Sequence, residues 1–181
     1  MSEKELDSAK TGPVTGKSPG DAYPAGAVVK IPIIPGYGPG PKIGDLLITL
    51  VEIARSKEIE SHLEPDEIPP APEKSGFETI ILSLKAEYAR YGKGPRQQPY
   101  MMSDGQFLAC SSDGSTEYKV MPLYDESRGG LIGYLFHLGD SRQSWLYCHM
   151  PVEEKEPFLL YRRENVDNVW GLWSDIWFKL F

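Results

Sequence analysis

An α+β domain is what this sequence predicts: an antiparallel β-meander of about five strands, two preceding helices, and a Trp-rich C-terminal helix packed on one face. Three observations carry that expectation. Apolar residues recur at helical spacing across 45–61 and 77–91. From Pro99 onward, short alternating runs are separated by turn residues. The stretch Asn165–Phe181 sets Val166, Val169, Trp170, Trp173, Ile176 and Trp177 on one helical stripe. Each buried indole removes on the order of 200 Å² from water, so such a helix must dock on something.

Residues 1–26 are rich in Ser, Lys, Gly, Pro and acids and are expected to form a disordered arm, having little apolar surface to offset ordering entropy. Residues 27–42 read as an extended Pro/Gly-rich connector, and Pro32 limits Ala27–Ile34 to an edge strand at most. Gly36–Lys42 is not a phosphate loop. Pro39 and Pro41 lack amide donors, and no Ser or Thr follows Lys42. The single α+β domain then spans 43–181. Leu46, Leu47, Leu50, Val51, Ile53, Ala54 and Ile59 predict its first helix, capped by Asp45. His62–Ser75 is an acidic, proline-laden loop, a surface connector or a recognition segment in polyproline conformation.

Ser75 opens the second expected helix, with Phe77, Ile80, Ile81, Leu84, Tyr88 and Tyr91 on its buried side. Arg90, Lys93 and Arg96 form a compact basic cluster in the loop that ends it. Strands are predicted at 98–102, 106–111, 116–124, 131–138, 144–150 and 158–162. Leu131–Leu138 is apolar at nearly every position and reads as a central strand covered on both faces. A tight turn over Gly139–Gln143 would set His137 opposite Trp145 and His149 opposite Gly133.

A net charge of -7 argues against binding to a nucleic-acid backbone. No run approaches the ~20 apolar residues of a membrane span. The charged start MSEKELDSAK is not signal-like, and the chain reads as cytoplasmic, with Cys110 and Cys148 as buried reduced thiols. Neither a metal site nor a cofactor is expected, since the three histidines have no ligand spacing. Catalytic fingerprints are absent. His137 and Asp140 with Cys148 or Cys110 supply the only candidate nucleophile system, of hydrolase or transferase type.

Aromatic residues exceed what one core face needs. The expected function is therefore a non-catalytic intracellular binding or sensor module, acting through an aromatic sheet face and the C-terminal helix. Tyr134, Trp145 and Tyr147 would form its surface, Arg128 and Arg142 its polar rim, and Phe178 a contact on the helix's polar side. A protein partner or self-association is expected, with a small-molecule ligand as the alternative. An immunity-type protein that blocks a partner enzyme with the acidic residues Glu64–Glu73 is a further alternative.

Overall fold

Ile80, Leu82, Leu84, Ala86 and Tyr88 occupy alternate positions, and all are 0–1% exposed. That period of two belongs to a strand, not a helix. The computed structural model describes residues 15–33, 44–55, 58, 68–89, 99–102, 104–123, 130–162 and 175–181. Its named elements are ten strands and two 3-10 turns, Pro19–Asp21 and Asp104–Gln106. The strands are β1 (Val28–Ile33), β2 (Gly44–Arg55), β3 (Phe77–Ala89), β4 (Tyr100–Met101) and β5 (Phe107–Cys110). They continue with β6 (Glu117–Pro122), β7 (Leu135–Phe136), β8 (Ser141–Pro151), β9 (Phe158–Tyr161) and β10 (Ile176–Lys179). The fold is a β-sandwich-like all-β architecture, not α+β.

One sheet runs in the order β1-β2-β3-β8-β6-β5-β9-β10, and β4 pairs with β7 separately. All pairings between named strands are antiparallel. The order is not that of a meander, because β3 pairs with β8 across the intervening residues 90–140 (Phe77↔Pro151 to Glu87↔Ser141). The sheet folds over at β6, which pairs with β8 on one side and β5 on the other. A single core follows. Leu46, Ile48 and Leu50 of β2 and Leu146, Cys148 and Met150 of β8 meet Phe107, Leu159 and Phe178 from the other layer.

All three expected helices are corrected. In β2, Leu46, Ile48 and Leu50 point inward while Leu47 and Thr49 lie outward and half-buried. The register slips between Leu50 and Glu52, a bulge that leaves Val51 42% exposed. The half-buried outer face of β2 is also largely apolar, so helical spacing is satisfied by accident. β10 repeats the lesson. Phe178 and Leu180 are buried in the core, while Trp177 faces away and meets the Phe158 ring edge-on at 6.0 Å. Trp170 and Trp173 lie outside the described residues, as does the basic cluster of Arg90, Lys93 and Arg96.

Two further expectations fail. Within Leu131–Leu138 only Leu135 and Phe136 form a strand, paired with Met101 and Tyr100, and Ile132 adds an isolated bridge to Met102. Gly133 (φ 79°) and Gly139 (φ 92°) take left-handed conformations that break the run. The predicted hairpin register also falls, because β8 sets Thr79 opposite His149 and Ser83 opposite Trp145. The residues before Ser141 instead form a turn docked on the end of β3. In it the Gly139 amide donates to Tyr88 O at 2.7 Å, and the Tyr88 amide to Asp140 O at 2.9 Å.

Residues 15–26, assigned above to a disordered arm, are ordered along the β10 edge. The Trp177 amide donates to Gly16 O, the Tyr23 amide to Trp177 O and the Lys179 amide to Tyr23 O, each at 2.8 Å. Tyr23 bridges to Phe178, and five residues later β1 begins at the opposite end of the sheet order. This strap links the two edges of the curled sheet. β1 is an edge strand, as Pro32 requires, and Val29 and Ile31 place it in the same core rather than in a connector. Gly44 opens β2 where no side chain fits, since a β-carbon there would lie 2.6 Å from the Tyr88 ring.

Leu82, on the inner face of β3, is 0% exposed. Leu82→Ala is expected to destabilise the fold by about 2–5 kcal/mol, read as a lower denaturant midpoint with unchanged slope.

Candidate functional site

On β8 the even-numbered residues face the core, so Trp145, Tyr147 and His149 line up on the outer face. Tyr147 is 8% exposed and packs with Ile81 of β3 and Ala54 of β2, flanked by half-buried Met121, Leu123 and Trp145. Its ring meets His149 edge-on at 5.5 Å. Beyond Tyr147 this face deepens into a groove of about 500 Å3. Its floor is formed by Phe77, Tyr118, Met121, Tyr147 and His149, and one wall by the segment Pro70–Lys74. Glu73, Lys74, Glu117 and Lys119 supply two charges of each sign along its margin.

Local chemistry holds these groups in place. Tyr118 meets Phe77 edge-on at 6.4 Å, and the Lys74 ammonium lies 5.4 Å from the Phe77 ring centre. His149 Nδ1 and Thr79 Oγ1 are 3.1 Å apart, and Thr79 itself is buried. Burial holds the imidazole below the ordinary histidine range, opposed by the weaker pull of Glu73. Glu117 ion-pairs with Arg162, which lowers its carboxyl pKa. At the end of the groove's strands, Arg55 ion-pairs with Glu78, donates to Glu154 O at 3.4 Å and lies 4.8 Å from the Phe181 ring centre. That contact fastens the start of β3 to the β8–β9 turn.

The structure divides the site residues expected from sequence. Trp145 and Tyr147 share the outer face, and Tyr147 enters the groove floor. Tyr134 and Arg142 form a separate pair beside the turn before β8, the guanidinium stacked 3.7 Å from the ring centre. Tyr134 Oη also donates to Asp140 Oδ2 at 3.0 Å. Phe178 is 0% exposed and belongs to the core. Arg128 lies outside the described residues, as do Glu64, Pro65, Asp66 and Glu67 of the acidic segment. Phe77, Tyr118, Met121 and His149 were missed. The alternation Trp145-x-Tyr147-x-His149 was legible and points to one face, whereas Phe77 and Tyr118 join only through the β3–β8–β6 pairing.

Asp140 acts in its turn, where Oδ2 accepts the His137 amide at 2.8 Å as well as the Tyr134 hydroxyl. Those bonds lower its pKa, the His137 amide most. Both cysteines are free and buried. Burial pushes the Cys148 thiol up to about 12 and the Cys110 thiol up to about 11, the latter with help from Glu117. Neither presents the thiolate that a cysteine nucleophile requires. No group of three metal-ligating side chains occurs among the described residues. Among them, too, no helix is long and apolar enough to cross a membrane.

Folded protein at pH 8 should therefore leave both thiols unreacted with a disulfide reagent, and denaturant should release both; rapid labelling of the native state would contradict the burial. For His149, an NMR titration should show a midpoint below the ordinary histidine value. Because the unfolded chain then takes up this proton at higher pH than the fold does, the imidazole's contribution to stability is present above about pH 6.5 and is lost as pH falls through the folded midpoint.

No protein-family model matches the chain, and no curated protein matches it. Among solved structures it is similar to MPT63, a secreted protein from Mycobacterium tuberculosis. The TM-score is 0.53 at 11% identity, over 87% of this chain and 97% of that one. It also aligns with the yjhA protein of Bacillus subtilis, at a TM-score of 0.48 and 15% identity over 88% and 99% of the two chains. An uncharacterized β-sandwich protein from Clostridium difficile aligns at a TM-score of 0.44 and 13% identity, over 88% and 95%. At these identities the likeness to MPT63 concerns the fold alone: an all-β architecture covering nearly the whole of both chains.

Proposed function

We propose that this protein is a non-catalytic binding module whose working surface is the groove on the outer face of β6 and β8. The observation that carries this reading is the floor itself. Five large side chains, Phe77, Tyr118, Met121, Tyr147 and His149, converge on about 500 Å3 of open space. A lone exposed ring needs no explanation, but apolar groups gathered in a concavity with a polar margin favour an occupant. The lining charges are of both signs, Glu73 and Glu117 against Lys74 and Lys119. The Tyr134–Arg142 pair lies elsewhere and is a structural clasp in this reading.

Selection of ligands from a displayed peptide library tests the proposal. A ligand that uses the groove should bind Tyr118→Ser about tenfold more weakly than the native protein, the loss of one aromatic contact of roughly 1.4 kcal/mol. Lys85→Ala, exposed eight residues along β3 from Phe77, should leave affinity unchanged. Equal binding by the native protein and a folded Tyr118→Ser variant would remove the groove from the function.

A further inference from the structure

The groove's own wall identifies what it accepts. Ile68-Pro-Pro-Ala-Pro-Glu73 contains three prolines whose rings fix φ near -65°. Ile68, Pro69 and Ala71 each precede a proline and are driven out of helical space toward extended conformations. Both restraints favour extended, polyproline-like backbone over helix along this segment. It runs directly into Glu73, Lys74 and Phe77, and Pro70 and Pro72 line the groove together with the floor. Pro69 is buried, so one pyrrolidine ring is already packed against the protein.

The geometry points to a proline-rich partner segment as the groove's ligand, seated alongside Pro70–Pro72 on the same rings. This inference rests on the reading of the groove as a binding site and names its occupant. Three features select proline over other apolar groups. The rings are tilted against one another, 73° between Phe77 and Tyr118 and 62° between Tyr147 and His149. They form ridges and slots that suit puckered rings better than one flat stacked ring. A polyproline helix also leaves its carbonyls unpaired, and the lysines and the Tyr118 hydroxyl at the margin are donors for them. Finally, such a segment is rigid before binding and loses little entropy on docking, so a shallow groove suffices to hold it.

The test is an NMR titration of the full, isotope-labelled chain with three probes. They are the capped peptide Ile-Pro-Pro-Ala-Pro-Glu, the same peptide with glycine at each proline, and cellotetraose as a neutral saccharide. The proline peptide is expected to shift amides of 117–121 and 145–149, and to bind at least tenfold more tightly than the glycine version. Tyr118→Ser should weaken it about tenfold while Tyr118→Phe, which keeps the ring, loses less. Equal binding of the two peptides, or groove shifts with cellotetraose alone, would overturn the proline assignment and leave the groove as a site for another ligand. Absence of groove shifts with all three probes would overturn the proline assignment as well; library ligands that are also indifferent to Tyr118→Ser would then bring down the groove itself.

Discussion

Everything in this fold depends on covering the inward face of β3. Ile80, Leu82, Leu84, Ala86 and Tyr88 present a continuous apolar row along one side of a strand that is paired on both edges. At roughly 25 cal/mol per Å², leaving such a row wet costs several kcal/mol, and no helix among the named elements is available to cover it. The sheet solves this by folding onto itself. β6 serves both layers, and β5, β9 and β10 become the lid over β2, β3 and β8. Long-range pairing between β3 and β8 is thereby the price of a core built from one sheet.

A curled sheet leaves two edges, and unpaired edges invite association with other chains. The N-terminal strap answers one of them by hydrogen bonding along β10 before the chain crosses to start β1. At the other, Pro32 removes a donor from β1, and Lys30 carries a charge there, held 3.0 Å from the buried Asp45. Beneath the strap, Ala22, Cys110, Phe158 and Leu160 form a second small cluster, so the strap is packed as well as paired. Gly114, with φ at 73°, lets the strap's Pro19 approach where a β-carbon would sit 2.9 Å from it. The same closure that hides the core therefore also fixes which faces remain open.

The outer face of β6 and β8 carries the groove. Beside it the small cluster of Ala54, Ile81 and Tyr147 is buried, flanked by half-buried Met121, Leu123 and Trp145. The floor residues of the groove are aimed by β3, β6 and β8, whereas its wall Pro70–Lys74 lies in the segment before β3. Polar groups with a reactive appearance in the sequence have structural duties instead. Asp140 caps a turn, Glu117 pairs with Arg162, and the two thiols are packing groups.

The chain by itself determined a good deal: most turns from Pro99 onward, though not those within Leu131–Gln143, the edge position that Pro32 imposes, and the burial of both free cysteines. Local chemistry sets each of these, so neighbouring residues suffice to read them. The strand identity of β3 was also written there, in Lys85 and Glu87 placed between inward apolar residues, but was obscured by matches at helical spacing. Only tertiary structure decided the rest. Segments with large apolar residues on both faces, such as β2 and β10, carry no clean period in sequence, and their form follows from the strands they pair with. The groove likewise gathers Phe77, Tyr118 and Tyr147 from three strands, because β3 pairs with β8 and β8 with β6 across distances in sequence that no local pattern records.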